Sequence, residues 1–255
     1  RKIDNFYAFS LLKLSKKHQG HLNQQDKKFE ELPEYRTISA KKNNFTISNF
    51  NEKNNLDEWK RSHGNHSSNR FSNLSKINLS NIKNLDLVWK YEFSDINRDI
   101  QANPVIANGK IFTPTTGNKV ISINAATGKK IWEYQTDSTP ARRGILFWSY
   151  ENKSKIYFCA GKNLISLNAE NGKLEKNFGK NGIIKLKNRC KISPVIISNN
   201  LVIATVEPAL EVYNLNNGKL LWKYYLKKKS EKKRYGGKRY DYSGGNPWGG
   251  ISADT

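Results

Sequence analysis

The sequence predicts an all-β chain made of β-propeller blades, each a four-stranded sheet with a tryptophan motif. The first observation is a repeat, in which an apolar run is followed by Asn, three further residues, Gly and Lys. The glycines of its three copies are Gly128, Gly172 and Gly218, which lie 44 and 46 residues apart. The second observation is a Trp-x-Tyr motif that begins at Trp89, Trp132 and Trp222. A period of about 40–45 residues with strand–turn–strand character is typical of propeller blades.

The strands of each blade follow in a fixed order. In the clearest blade, apolar segment 104–106 leads into Asn108-Gly109, a two-residue hairpin signal, and segments 110–113, 119–123 and 129–134 follow. The order recurs over 194–224, and a blade between them has Lys176 at the tryptophan position. We expect Trp132 and Trp222 to pack blade against blade, and each repeat glycine to permit a turn.

The composition and periodicity of the chain predict two parts. Residues 1–50 are polar and lack periodicity, which predicts an N-terminal extension or linker, and residues 51–255 form the blades. Three to four blades leave an unclosed edge, whereas closure protects propeller strands. Since the first residue is Arg1 rather than Met, and the last blade-like segment stops at Asp254-Thr255 without a partner strand, we expect a fragment of a longer polypeptide.

The charge is strongly basic, with 44 Lys and Arg against 22 Asp and Glu. Basic residues are spread along the chain, and the dense run at 227–234 falls between blades, where a solvated loop is the favoured interpretation. A nucleic-acid partner is therefore not expected, although it is the third hypothesis that the charge leaves open. No apolar run reaches the roughly 18 residues that a membrane span needs.

The two cysteines, Cys159 and Cys190, do not have metal-site spacing. Distant cysteines in β segments are more often buried thiols than disulfide partners, so two buried thiols are the favoured interpretation and a disulfide is the alternative.

The blades resemble those of quinoprotein dehydrogenases, eight-bladed enzymes that use pyrroloquinoline quinone (PQQ). The specific part is the lead-in segment, where Trp59, residues 69–74, Ile77-Asn78, residues 81–85 and residues 88–91 follow the family's pattern. The resemblance continues to about residue 255. It implies that the chain is the N-terminal part of such a propeller, with about three to four of the eight blades.

The resemblance implies a cofactor role for two residues in the first half of the chain. The family places a Glu three residues before the first Pro-Val-Ile strand, and this sequence has Gln101 there, which keeps the hydrogen-bonding shape without the charge. Arg143 begins a segment similar to the family's Arg-Gly-aliphatic-x-aromatic segment, whose Arg contacts PQQ. A guanidinium can bind carboxylate or quinone oxygens with two hydrogen bonds. The adjacent Arg142 is the alternative.

A glycine-rich segment at 244–249 resembles the family segment that forms the floor of the cofactor site. Trp248 would stack beneath the planar quinone, with Asn246 beside it, because Trp offers the largest flat π surface. Trp248 lies outside the blade period, which disfavours a packing role.

Further along, the resemblance implies Thr205 as a cofactor hydroxyl and Glu207 as a Ca²⁺ ligand, since hard oxygen ligands suit Ca²⁺. The sequence also departs from the family. Residues 137–139 lack the adjacent cysteines of the alcohol-oxidising branch, which is more typical of the sugar- and polyol-oxidising branch, and Cys159 falls about where many members have a cofactor-binding Thr. The family's catalytic Asp and its Asn calcium ligand would lie beyond Thr255, so no catalytic residue is assigned within this chain.

The resemblance implies oxidation of an alcohol, polyol or aldose, with PQQ as hydride acceptor, Ca²⁺ as Lewis acid, and a quinone or cytochrome as electron acceptor. It also implies a periplasmic location and a peripheral association with the membrane. The alternative is a noncatalytic propeller of the same type that acts as a protein-binding scaffold in envelope assembly.

Overall fold

A computed structural model describes the part of the chain that forms the blades. All described residues belong to the second of two compact units, Ile47–Thr255. They are residues 58–65, 68, 70–95, 99, 101–206, 209–225 and 250–252, with the backbone of 234–235 and 238–239. The division of the chain at residue 50 stays a prediction.

Three four-stranded antiparallel sheets confirm the predicted all-β blades. The first contains β1 (Val105–Ala107), β2 (Lys110–Pro114), β3 (Lys119–Asn124) and β4 (Lys130–Gln135). The second contains β5 (Leu146–Tyr150), β6 (Lys153–Ala160), β7 (Asn163–Asn168) and β8 (Ile183–Lys185). The third contains β9 (Val195–Ile197), β10 (Asn200–Thr205), β11 (Ala209–Asn214) and β12 (Leu220–Tyr225). A hairpin follows, with β13 (Arg234–Tyr235) and β14 (Lys238–Arg239).

The repeated Asn and Gly build the turn between the third and fourth strands. In the first blade the side-chain oxygen of Asn124 accepts hydrogen bonds from the backbone N–H groups of Ala126 and Thr127, at 3.0 and 2.9 Å. Asn168 and Asn214 accept the equivalent pairs of hydrogen bonds. The turn closes when Gly128 donates its N–H to the carbonyl of Asn124, and Gly128 has a φ of +69°, a conformation that glycine adopts without strain.

Tryptophans pack one blade onto the next, as predicted for Trp132. The Trp132 indole donates to the carbonyl of Ala169 at 2.9 Å, and a Cβ placed on Gly172 would lie 2.7 Å from its ring. Trp89 makes the same contacts one blade earlier, with Ala125 and Gly128. Trp222 is 38% exposed, and its packing role stays a prediction.

The second sheet meets the third without a tryptophan. Ile184 of β8 lies 2.7 Å from where a Cβ on Gly218 would be, and the hydroxyl of Tyr157 donates to the carbonyl of Leu215 at 3.1 Å. The expectation that Lys176 takes the tryptophan position is therefore wrong. Residues between β7 and β8 extend the connection, so that Ile184 reaches the repeat glycine of the next blade.

The first strands of the sheets converge on one side of the molecule. β1 contacts β5, and a parallel bridge joins Arg143, just before β5, to Ile192, just before β9. The lead-in segment lies here too, because Trp59 pairs with Ile106 of β1 and Lys60 accepts a hydrogen bond from Phe147 of β5. This convergence brings together the loops that precede the first strands.

Candidate functional site

A cleft of about 640 Å³ opens where the loops before β5 and β9 meet the lead-in to β1. Its lining includes four basic side chains, together with amides and hydroxyls. The polar and charged residues that line it are Gln101, Asn118, Ser138, Thr139, Arg142, Arg143, Arg189 and Lys191. Among the described residues that line it, none carries a carboxylate. The cleft therefore suits a polar, anionic ligand of small-molecule size.

Three successive blades contribute the lining in the same way. Gln101 before Val105, Arg142 before Leu146 and Lys191 before Val195 stand at equal distances ahead of a first strand. The bridge between Arg143 and Ile192 confirms that the second and third of these segments run level with each other. An amide and two cations thus meet at one cleft because they occupy equivalent positions in three neighbouring blades, although they are far apart in the sequence.

The structure brings together two of the predicted cofactor residues. Gln101 and Arg143 both line the cleft, as does Arg142, the alternative that the sequence left open. Gly144, with a φ of +102°, turns the chain directly after Arg143, and a Cβ there would lie 3.2 Å from Ser62. Asp99 lines a smaller recess beside the cleft, which Gln101 and Arg142 share. The cofactor roles of these residues remain predictions.

The other predicted residues lie elsewhere or outside the described part of the chain. Thr205 is fully buried at the end of β10, where it pairs with Cys190 of the cleft wall and does not itself line the cleft. Glu207, Asn246 and Trp248 lie outside the described residues. The first described residue after that glycine-rich segment is Gly250, where a Cβ would lie 3.7 Å from His63 and 3.8 Å from Arg61.

The two cysteines form a disulfide, so the interpretation as buried thiols is wrong. Cys159 of β6 and Cys190 of the loop before β9 have Cα atoms 5.6 Å apart, within the range that a disulfide needs. They are 31 residues apart in the sequence and meet because neighbouring blades stack side by side. Sequence separation alone could not show this contact. The bond ties the second blade to the cleft wall of the third.

A basic group adjoins Arg143 on the lead-in side. Burial of the Arg61 guanidinium lowers its pKa to about 10, and Arg61 donates to the hydroxyl of Ser68 at 2.7 Å. Partial burial lowers the pKa of His63, and the charges of Arg70, Arg61 and Arg143 lower it further. Arg70 Nη2 lies 3.1 Å from His63 Nε2, and since an arginine N–H can only donate, His63 accepts in its neutral form. This group adds positive potential beside the cleft.

Metal-binding residues are not gathered within the described ranges. There, no group of three or more His, Cys, Asp or Glu side chains is arranged to hold a metal ion. Glu207, which the sequence suggests as a Ca²⁺ ligand, falls outside those ranges.

No helix among the described residues is long and apolar enough to span a membrane.

Two known dehydrogenases are similar to this chain in sequence. A quinohemoprotein alcohol dehydrogenase, ADH IIB of Pseudomonas putida, is 30% identical over 185 residues, which covers 66% of this chain and 26% of that protein. Quinoprotein glucose dehydrogenase A of Acinetobacter calcoaceticus is 26% identical over 206 residues, covering 60% of this chain and 26% of that protein. The chain thus spans about a quarter of the length of these relatives.

Solved structures show the same fold. The quinohemoprotein alcohol dehydrogenase of Comamonas testosteroni superposes with a TM-score of 0.54 at 22% identity, over 67% of this chain and 27% of that one. A europium-containing methanol dehydrogenase superposes with a TM-score of 0.53 at 18% identity, over 67% of this chain and 32% of that one. Residues 59–255 match the family described as the β-propeller domain of PQQ glucose, ethanol and alcohol dehydrogenases. The chain therefore belongs to the PQQ-dependent quinoprotein dehydrogenase family, as a partial β-propeller.

Proposed function

We propose that this chain forms part of a dehydrogenase that oxidises an alcohol, polyol or aldose with PQQ as hydride acceptor. The observation that carries the proposal is the cleft, whose described lining has four cations and no carboxylate. PQQ bears three carboxylates and an ortho-quinone, so its charge and its hydrogen-bond acceptors complement these donors. The volume of about 640 Å³ falls within the range usual for small-molecule sites.

Arg142 and Arg143 are the residues that we expect to hold the cofactor most strongly. A guanidinium presents parallel N–H donors, which can bind both oxygens of a carboxylate or of an ortho-quinone. A fixed cation beside a carbonyl oxygen also stabilises negative charge that develops there. Bound PQQ would supply the two-electron hydride acceptor, which no side chain can provide.

Gln101 would donate its amide N–H to the same ligand. Since a neutral amide replaces the Glu that the family has here, this chain places one negative charge fewer beside the cofactor. Trp248 as the stacking partner, Asn246 and Thr205 as polar contacts, and Glu207 as a ligand of a Ca²⁺ Lewis acid belong to the proposal through family resemblance. The general base that removes the substrate's hydroxyl proton would be an Asp beyond Thr255.

The disulfide supports a periplasmic location for the protein. Disulfides persist in oxidising compartments such as the periplasm and are rare in the cytosol, and the Cys159–Cys190 disulfide joins the second blade to the segment before β9. In that compartment a quinone or a cytochrome would take the electrons, either in solution or with the protein peripherally associated with the membrane.

Reconstitution of the complete natural polypeptide with PQQ and Ca²⁺ tests the proposal. Dye-linked oxidation of alcohols, polyols and aldoses is measured for the wild type, for Arg143→Gln and for Lys129→Gln, a charge-removing control on an exposed blade turn. We expect PQQ-dependent oxidation of at least one substrate class, lost in the Arg143 variant and retained in the control. If the wild type oxidises none of the three classes, the proposal is wrong and the noncatalytic scaffold is favoured.

A further inference from the structure

The disulfide lies directly between two cations of the cleft. Cys190 is flanked in the chain by Arg189 and Lys191, and all three residues line the cleft. The Cys190 side chain is only 2% exposed, whereas its two neighbours are exposed. A short segment of the third blade therefore presents two positive charges to the cleft while its middle residue is cross-linked to the second blade.

The backbone explains this arrangement. Cys190 forms an antiparallel bridge with Thr205, and the N–H of Val206 donates to the carbonyl of Arg189 at 2.7 Å. The segment thus runs as an added strand beside the end of β10. Since successive side chains of an extended strand point to opposite faces, Arg189 and Lys191 share one face and Cys190 takes the other, toward Cys159.

We propose that Arg189 and Lys191 form a carboxylate-binding subsite on the third-blade side of the cleft, fixed in place by the Cys159–Cys190 disulfide. The subsite would take a carboxylate of the bound cofactor, so this inference rests on the proposed function. Lys191 stands at the same position in its blade as Gln101 and Arg142, which orients the subsite toward the same ligand. Two cations, with no carboxylate among the described residues of the cleft wall, favour an anionic group over a neutral hydroxyl.

The disulfide contributes to this subsite by fixing the positions of Arg189 and Lys191. The segment that carries Arg189 and Lys191 precedes β9, and its backbone is held near Cys190 by the bridge to Thr205 and by the hydrogen bond from Val206. The N–H of Cys190 also donates to the carbonyl of Gly161 in the second blade at 3.2 Å, and Ile192 bridges Arg143. The covalent link adds a tie to β6, a largely buried strand of the neighbouring blade. Reduction of the disulfide would leave the charges present and make their positions less fixed, which weakens a preorganised anion site.

Titration of PQQ into the complete polypeptide, followed by calorimetry at two salt concentrations, tests the subsite. For Arg189→Gln/Lys191→Gln we expect binding about tenfold weaker and less salt-dependent, because two partly exposed charge contacts are lost. Lys129→Gln/Lys173→Gln removes the same charge from exposed blade turns and should bind like the wild type. Unchanged affinity in the Arg189/Lys191 variant would overturn the subsite alone, whereas a wild type that binds no PQQ would overturn the proposed function as well.

A double-mutant cycle tests the positioning role of the disulfide. Cys159→Ser/Cys190→Ser should weaken PQQ binding in the wild-type background and have little further effect in the Arg189→Gln/Lys191→Gln background. Equal losses in both backgrounds would show that the disulfide does not act through these cations and would overturn the positioning role. If the serine variant does not fold, reduction of the native protein under folding conditions provides the same comparison, with the circular dichroism spectrum as the check on structure.

Discussion

Gly172 shows how one residue can meet two requirements at once. Its φ of +71° lies in the left-handed region, and a Cβ there would come within 2.7 Å of the Trp132 ring of the preceding blade. The turn requirement is visible in the sequence, because Asn-x-x-x-Gly is a turn pattern. The close approach of the indole is not, because it depends on how the blades stack.

Gly172→Ala should therefore destabilise the protein more than the backbone strain of an alanine at positive φ alone would. We expect a loss of about 2–4 kcal/mol in the free energy of unfolding, from backbone strain together with overpacking against Trp132. Gly109→Ala is the matched control, because Gly109 has a φ of +67° and a Cβ added to it would have no atom within 4 Å; it should lose about 1–2 kcal/mol from strain alone. Denaturant unfolding measures both, and equal losses would contradict the packing role.

Because of His63 on the lead-in side, the free energy of unfolding depends on pH. Its folded-state pKa lies below the ordinary value of 6.5, because of burial first and then the charges of Arg70, Arg61 and Arg143. The unfolded chain therefore takes up this proton first as the pH falls. The stability that neutral His63 contributes is present above about pH 6.5 and is lost as the pH falls toward the lowered pKa.

We expect the free energy of unfolding to fall more steeply between about pH 7 and pH 5 for the wild type than for His63→Gln. Glutamine keeps a hydrogen-bond acceptor for Arg70 and does not titrate. Denaturant unfolding at several pH values measures both curves. Parallel curves would show that the pKa of His63 is the same in the folded and unfolded chains.

At the scale of the element, the blade interfaces use two different solutions. Trp89 and Trp132 each combine an indole hydrogen bond with packing on a repeat glycine. Between the second and third blades, Tyr157 supplies the hydrogen bond and Ile184 covers Gly218. The tryptophan interfaces follow from the sequence period. The interface between the second and third blades could not be predicted. Its hydrogen bond and its packing come from residues on different strands, and the long connection to β8 breaks the period of the repeat.

Tyr157→Phe should cost about 1–2 kcal/mol in the free energy of unfolding, because the buried carbonyl of Leu215 loses its donor. Burial raises the pKa of Tyr157, so the hydroxyl stays protonated and donates throughout the physiological range. Tyr134→Phe, at a half-buried tyrosine of β4, is the control and should change stability by less than about 0.5 kcal/mol. If the two variants unfold alike, the hydroxyl of Tyr157 does not take the place of a tryptophan indole.

At the scale of the whole molecule, the period of the sequence predicts the blades well and the cleft only in part. Gln101 and Arg143 could be suggested from a family pattern. Arg189 and Lys191 could not, because they become part of the cleft only when the third blade packs beside the second. The disulfide between Cys159 and Cys190 is hidden for the same reason. The equal placement of Gln101, Arg142 and Lys191 ahead of their first strands is a signal that could have indicated Lys191, but it does not extend to Arg189.

The proposed role of the basic cleft is to hold PQQ. The direct measurement is the dissociation constant for PQQ of the complete natural polypeptide, compared with that of Arg142→Gln/Arg143→Gln. We predict saturable binding by the wild type and a loss of about a hundredfold in the variant, because charge-assisted hydrogen bonds to carboxylate or quinone oxygens are removed. Equal affinities for the two proteins, or no binding by the wild type, would show that the cleft does not hold PQQ.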